Sequence, residues 1–463
     1  MIGNLEEIAL AMNGKLHGQK GSEIIAEVST DTRTSVNGAL FFALPGEQYD
    51  GHDFLEQAVA KGAAAIVISK GELLERYKKT GANVVLVEDT LVALQRLANW
   101  HRQKFTIPVI GITGSNGKTT TKDMVAAVLE EKFSVLKTEE NYNNELGLSL
   151  TLLKLLPEHK ACVLEMGMRG LGEIDALCQI ANPTAGIITN IGVTHYELLG
   201  SVENIAKAKG ELLEHIPASG FALLNGEDAW SHRLSSLCRG KVLFYGFNDQ
   251  AQIRATNIST SSIKSSFTLE AFDKQIRIEM PLPGEHNVLN ALSAAGVGLQ
   301  LGLSLTQVAR GLAKVKLSAM RLARLAGIKN TTIINDAYNA NPTSTKASLQ
   351  VLADTKGGRK IAVLGDMREL GAIEEKSHFQ IGEAVVSLGI DYLITIGKLA
   401  KHMALGALAA GMPKECVMAF DENDGAKRFL HKLLVTGDVV LVKGSRAVKM
   451  EEIVYFVVTQ PED

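Results

Sequence analysis

Val109-Ile110-Gly111-Ile112, followed directly by Thr113-Gly114-Ser115-Asn116-Gly117-Lys118-Thr119-Thr120, decides how this chain reads. A short apolar strand runs into a glycine-bearing loop, and the loop opens onto a helix whose apolar positions Met124, Val125, Val128 and Leu129 recur on one face. That order of elements suits the cradling of nucleotide phosphates. The glycines let backbone N–H groups curl around phosphate oxygens, Lys118 brings a cation to the outer phosphates, and the Thr119 hydroxyl suits Mg²⁺. Against the general pattern G-x-x-x-x-G-K-[ST], the first glycine position is held by Ile112, with Gly111 and Gly114 on either side, so the loop is a variant. Thr113 through Thr120 are the candidate nucleotide-binding residues.

Working outward from this loop, the 463 residues suit about three domains at roughly 150 residues each. Residues 1–105 hold short apolar runs, among them Ala39-Leu40-Phe41-Phe42-Ala43-Leu44 and Ala64-Ala65-Ile66-Val67-Ile68, which predict a small N-terminal α/β domain. In residues 106–318, strands such as Cys162-Val163-Leu164-Glu165 and Gly186-Ile187-Ile188-Thr189 alternate with helices at spacings that suit parallel crossovers. The alternation Ser266-Phe267-Thr268-Leu269-Glu270-Ala271 predicts antiparallel strands at the edge of that central P-loop ATP-binding domain. Residues 319–463 repeat strand then helix through Thr332-Ile333-Ile334, Ile361-Ala362-Val363-Leu364, Leu393-Ile394-Thr395-Ile396 and Val439-Val440-Leu441-Val442, a C-terminal Rossmann-like pattern. The fold class is therefore α/β, in three domains.

A formal net charge of -3 gives no bulk electrostatic reason to bind nucleic acid or an acidic membrane, so small-molecule partners are expected. The four cysteines lack metal-ligand spacing, which suits reduced thiols in a cytoplasmic protein and argues against cysteine catalysis. Met1-Ile2-Gly3-Asn4-Leu5-Glu6-Glu7 has an acidic pair where a signal peptide needs basic residues, and no run of about eighteen apolar residues occurs. A soluble protein without membrane insertion is expected.

Ligands of open parallel sheets sit at the carboxyl ends of the strands. Glu165, with Met166-Gly167, ends one apolar strand, and Asn190-Ile191-Gly192-Val193-Thr194-His195 follows another. A carboxylate in an apolar strand needs a cation or donor beside it, and either Mg²⁺ or a salt bridge to Arg169 would serve Glu165. His195 alone also suits a hydrogen-bonded structural histidine.

With these segments in view, the chain resembles the Mur ligases, ATP-dependent amide-forming enzymes of bacterial cell-wall synthesis, with folylpolyglutamate synthetase as a relative. The resemblance spans almost the whole length, and Thr113 to Thr120 matches that family's P-loop variant. It implies that Thr119, Glu165 and His195 hold Mg²⁺. It also implies that Asn287 and Asn290, in Gly284-Glu285-His286-Asn287-Val288-Leu289-Asn290, approach the adenine of ATP. An amide side chain pairs with an adenine edge through one donor and one acceptor, although helix capping competes for such asparagines. Arg321 and Asp336 are implied as further nucleotide contacts.

The N-terminal segments Asp31-Thr32-Arg33, Gly46-Glu47 and Asp50-Gly51-His52 resemble the part that holds a uridine nucleotide, making Thr32, Arg33, Gly46, Glu47 and Asp50 substrate candidates. Asn141-Tyr142-Asn143-Asn144 resembles a loop near the muramoyl peptide, which adds Asn141, Asn143 and Asn144. Asp336-Ala337-Tyr338-Asn339-Ala340-Asn341-Pro342 and Leu364-Gly365-Asp366-Met367-Arg368-Glu369-Leu370-Gly371 resemble segments that meet ATP and an incoming dipeptide, adding Tyr338, Asn339 and Asn341. Asn341-Pro342 also reads as a helix start, but capping leaves Asp336, Tyr338 and Asn339 unexplained.

The implied substrates are UDP-N-acetylmuramoyl-tripeptide and D-alanyl-D-alanine, joined by a monomer through an acyl phosphate, with Lys118, His195 and Lys209 as catalytic residues. In the family a lysine such as Lys209 is carbamylated by CO₂, which needs a depressed amine pKa. Two lysines, Lys207 and Lys209, on a solvated helix are the plainer alternative. Lys443-Gly444-Ser445-Arg446 could reach a phosphate or carboxylate. Competing functions are another Mur-type or folylpolyglutamate-type ligase and a nucleotide-binding regulatory protein.

Overall fold

In the computed structural model, which describes residues 1–18 and 21–458, the strands gather into three large sheets and one two-stranded pair. The central sheet has nine strands. Within it Ala185–Ile188, Val109–Thr113 and Ala161–Glu165 lie side by side, all parallel and all buried along their length. Strands buried on both faces read as unbroken apolar runs, which is why these three stand out in the sequence. Their shared direction brings the P-loop, Glu165 and the segment after Ile188 to one edge of the sheet.

The edge expectation is met by the hairpin of Ser265–Ala271 with Lys274–Met280, which pairs antiparallel and is joined antiparallel to Ile253–Thr260. Ile253–Thr260 in turn runs parallel to Lys241–Gly246. The helix Lys118–Leu129 differs from its amphipathic reading. Lys122 and Asp123 are buried along with Met124 and Val125, because the helices Glu285–Gln300 and Leu305–Ala313 pack over its outer side.

The N-terminal five-stranded sheet runs Lys15–His17, Asn83–Leu86, Ala65–Ile68, Leu40–Phe42, Val28–Ser29, parallel except for the first pairing. The helix Thr90–Gln103 leaves this unit and packs on the next. Asn99 Nδ2 donates to the carbonyls of Gln179 (2.7 Å) and Ile180 (3.1 Å), and buried Arg102 Nε donates to that of Ala181 (3.0 Å). Leu94 and Leu97 share one core with Leu148, Leu152 and Leu177, so the first two units are welded through this helix.

The third sheet has six strands in the order Ala323–Gly327, Thr331–Asn335, Val439–Lys443, Lys360–Gly365, Tyr392–Ile396, Val417–Phe420. Only the first pairing is antiparallel, which fits the Rossmann-like expectation. Among the described residues, no helix is long and apolar enough to cross a membrane.

Candidate functional site

The carboxyl ends of the central strands face the third unit across a cleft of about 630 Å³. Its floor is the P-loop. Gly114 has φ +144°, and a Cβ there would stand 1.9 Å from Thr189 Oγ1; Gly117 has φ +80°, and a Cβ would meet Asn290 Oδ1 at 2.8 Å. Both positions require glycine, for conformation and for space. Gly114→Ala is therefore expected to destabilise the protein by about 1–3 kcal/mol and to lower ADP affinity at least tenfold. Urea denaturation and calorimetric ADP titration would measure both, and wild-type affinity would refute the placement.

The loop is clamped by the segment after the next strand. Ser115 N donates to the Asn190 carbonyl (2.9 Å), Asn116 N to Asn190 Oδ1 (3.0 Å), and Thr189 Oγ1 to the Asn116 carbonyl (2.5 Å). Thr189 and Asn190 went unnoticed as loop supports in the sequence, where their polar pair directly after an apolar strand was the available signal. Lys118 Nζ donates to the Gly114 carbonyl at 2.8 Å. Burial pushes its pKa down, Glu165 opposes that shift and Arg321 adds to it.

Glu165 is buried at the end of its strand. Asn143 Nδ2 donates to Oε1 at 2.8 Å, while Oε2 has no hydrogen-bond partner among the described residues. The Arg169 salt bridge is absent: Arg169 Nη2 donates instead to Glu369 Oε1, at 3.3 Å. A buried carboxylate oxygen without a hydrogen-bond partner, in a cleft that also holds Lys118 and Thr119, suits a cation. Among the described residues, no group of three His, Cys, Asp or Glu converges as a closed cage. Glu165, His195 and Thr119 line one cleft, and the unpartnered Oε2 of Glu165 is the observation that suits Mg²⁺, which binds through few protein ligands plus substrate phosphates and keeps waters.

His195 lines the same cleft with φ +64°, and its Nδ1 lies 2.5 Å from Glu369 Oε2 of the third unit. That close contact does not meet hydrogen-bond geometry. It holds the Glu369 carboxyl below the usual carboxylate range.

Other candidates gather here too. Arg321 Nη2 donates to Thr119 Oγ1 at 3.1 Å and its guanidinium lies 4.0 Å from the Tyr338 ring centroid. Asn341 caps the helix Pro342–Asp354 and also donates Nδ2 to Asn116 Oδ1 at 2.6 Å, so capping and P-loop contact coexist in one residue. Asp336 Oδ2 accepts from Lys443 Nζ (2.5 Å) and Ser348 Oγ (2.6 Å). Lys443 is buried in this pair rather than presented to solvent. Nearby His286 is pushed down to about 4, chiefly by burial, and is neutral at pH 7. Asn287 and Asn290 line the cleft, with Asn287 Nδ2 donating to the Pro283 carbonyl at 2.7 Å.

Some candidates stand elsewhere or hold structure. Asn144 lines the cleft but caps the helix Glu145–Leu152, and Asn141 is exposed outside it. Thr32, Arg33, Gly46, Glu47 and Asp50 lie apart from this cleft, on the N-terminal unit. There Thr32 Oγ1 donates to Gln57 Oε1 (2.7 Å), exposed Arg33 pairs with Asp31, and Gly46 N donates to the Tyr49 carbonyl (2.9 Å). Asp50 caps the turn Gly51–Phe54 and is held below the usual carboxylate range, first by Lys70. Lys209 is buried in the helix Val202–Glu214, with no hydrogen bond or ion pair to a described residue, whereas Lys207 is exposed and paired with Glu203 at 3.2 Å. Burial, with the Lys118 cation second, holds Lys209 well below the ordinary lysine range.

Three family models cover most of the chain: Mur ligase family, catalytic domain over 24–102, Mur ligase middle domain over 112–298, and Mur ligase, glutamate ligase domain over 320–446. The chain belongs to the Mur ligase family. It is accordingly an ATP-dependent, ADP-forming ligase. One similar Mur ligase is the UDP-N-acetylmuramoyl-tripeptide--D-alanyl-D-alanine ligase of Bacillus subtilis (strain 168), 39% identical over 99% of this chain and 98% of that protein. Among solved Mur ligase structures, MurF from Acinetobacter baumannii superposes with a TM-score of 0.89 at 30% identity, covering 98% of each chain. MurF ligase from Thermotoga maritima, solved in complex with ADP, gives 0.81 at 28% identity over 93% of this chain and 96% of that one.

Proposed function

We propose that this Mur ligase joins D-alanyl-D-alanine to UDP-N-acetylmuramoyl-tripeptide with ATP, giving the pentapeptide precursor of peptidoglycan. The observation that carries the reading is the cleft itself. A phosphate loop with Lys118 and a strand-end Glu165 faces Tyr338, Asn339 and Asn341 of the third unit across it. The near full-length likeness to ligases named for this reaction supplies the substrates.

In this reading residues 1–105 hold the UDP end, residues 106–318 the ATP, and residues 319–463 close over both. The peptide carboxylate attacks the γ-phosphate, ADP leaves, and the dipeptide amine displaces phosphate from the resulting acyl phosphate. Carboxylate and phosphate repel each other, so catalysis is mostly positioning and charge neutralisation. Mg²⁺, held by Thr119, Glu165 and His195, would supply charge stabilisation at the phosphates. Lys118 would meet the outer phosphates, and Asn287 and Asn290, which line the cleft, would read the adenine edge. Arg321, stacked on Tyr338 and bonded to Thr119, ties closure of the third unit to the nucleotide. Closure also excludes water, which would hydrolyse the acyl phosphate.

Lys209 is carbamylated in this proposal: its amine is buried, has no partner among the described residues, and is held well below the ordinary lysine range chiefly by burial, the direction that favours the neutral amine CO₂ needs. Incubation with ¹³C-bicarbonate should give a carbamate carbon signal that Lys209→Met lacks; its presence in that variant would remove the assignment. The protein is proposed to act as a monomer, which light scattering would check.

Phosphate release measured with ATP and Mg²⁺ tests the whole reading. Release should require both the UDP-tripeptide and D-alanyl-D-alanine and should match pentapeptide formed. Release with a different amino acid would keep the family and change the step, and release indifferent to both substrates would favour a nucleotide switch.

A further inference from the structure

Glu369 stands at the meeting of the central and third units, in the turn between the strand Lys360–Gly365 and the short turn Gly371–Ile373. The residues before it are pinned to their own unit. Met367 N donates to His378 Nε2 at 2.9 Å and Arg368 N to Ser445 Oγ at 2.8 Å. Glu369 then crosses the boundary with both carboxylate oxygens and its carbonyl. Oε2 lies 2.5 Å from His195 Nδ1, Oε1 accepts from Arg169 Nη2 at 3.3 Å, and the carbonyl accepts from Glu197 N at 3.2 Å.

Backbone conformation underlines the placement. Glu369 has φ +65° and His195 has φ +64°, so two non-glycine residues in mutual contact both occupy the left-handed region. Such conformations persist where the surroundings over-determine them, and they gather at functional sites. Gly371, at φ +52°, permits the approach, since a Cβ there would stand 3.1 Å from Glu197 Cα.

A histidine that binds metal through one ring nitrogen commonly donates the other N–H to a carboxylate, which fixes tautomer and ring orientation. We propose that Glu369 is the positioning residue for His195: it takes the Nδ1 proton side, leaves the Nε2 lone pair for the cleft, and does so only when the third unit is docked. Arg169 holds the carboxylate from its other oxygen. The metal-binding histidine of the central unit is thereby set by a residue of the third unit, which couples closure to the metal. This inference rests on the reading of His195 as a Mg²⁺ ligand.

The test is an EPR titration of Mn²⁺, standing in for Mg²⁺, into full-length protein with ADP, for wild type, E369A, E369Q, H195A and the double variant E369A/H195A. E369A should weaken Mn²⁺ binding about 10–100-fold. E369Q, which keeps an acceptor without charge, should lose less and serves also if E369A folds poorly. In the H195A background, removing Glu369 should change nothing further. Nitrogen-15 spectra of the His195 ring should show the Nδ1–H tautomer in wild type and a mixture in E369A. Wild-type Mn²⁺ affinity in H195A would overturn the metal reading of His195 itself. Weakened binding in H195A with none in E369A and E369Q would overturn the role of Glu369 alone. An equal loss from E369A with and without His195 would show an effect on docking and would overturn positioning.

Discussion

Lys118→Ala is expected to reduce ATP-dependent amide formation by at least about a thousandfold, because the outer phosphates lose a cation aimed at them from a desolvated loop. The loop itself should survive. In this structure the Lys118 ammonium makes one hydrogen bond, to the Gly114 carbonyl, and losing one such bond costs about 1 kcal/mol. That corresponds to a shift of roughly 2–4 °C in the unfolding midpoint for a domain of this size. The loop geometry is held independently by Ser115 and Asn116 on Asn190 and by Thr189 on Asn116. Lys118→Arg should not restore activity, since a planar guanidinium needs room that a point-like ammonium does not. Arg321 is already engaged with Thr119 and Tyr338 and is not free to substitute. Phosphate release and far-UV circular dichroism on the same preparations measure both effects; turnover near that of wild type would sink the assigned role.

The contrast between Lys118 and Asn143 shows what a sequence can carry. Strand, glycine loop and helix are contiguous, so local pattern alone placed Lys118, Thr119 and the parallel sheet around them. The apolar strands ending at Glu165 and Ile188 were legible for the same reason: both faces are buried, so nothing interrupts the apolar run. Asn143 reads from the sequence as a substrate contact. Only the fold, which folds the loop back over the neighbouring strand, joins its Nδ2 to Glu165 Oε1. Pairings between units were least legible. Glu369 with His195 and Asn341 with Asn116 span 174 and 225 residues of sequence, and no periodicity links them. The helix Lys118–Leu129 reads as amphipathic yet is covered on both sides for a related reason, since its second cover comes from helices more than 150 residues away. Burial separates Lys209 from Lys207 in the same way: two positions apart on one helix, they point to core and solvent.

Glu165→Gln should lower the rate about a hundredfold or more at fixed Mg²⁺ while leaving the nucleotide-free protein as stable as wild type or more so. The substitution keeps size and keeps an oxygen to accept from Asn143 Nδ2, so the loop carrying Asn143 retains its anchor. What it removes is the negative charge at Oε2, a buried atom without a hydrogen-bond partner among the described residues. Burying a neutral amide costs less than burying a charged oxygen that has no hydrogen bond, and this is expected to offset the anion lost beside Lys118. Lys118 loses a nearby anion at the same time, and its depressed pKa should fall further. A ligand that binds only the folded state stabilises it by about 2.7 kcal/mol at a hundredfold excess over Kd. Wild type heated with ADP should therefore gain an increment from Mg²⁺ that EDTA abolishes, and the variant should show the same midpoint with either. A structural role would give the reverse pattern, a lower midpoint without ligand and an intact Mg²⁺ increment. The Arg169 salt bridge, the other use for this carboxylate, would predict that pattern, and the engagement of Arg169 with Glu369 argues against it.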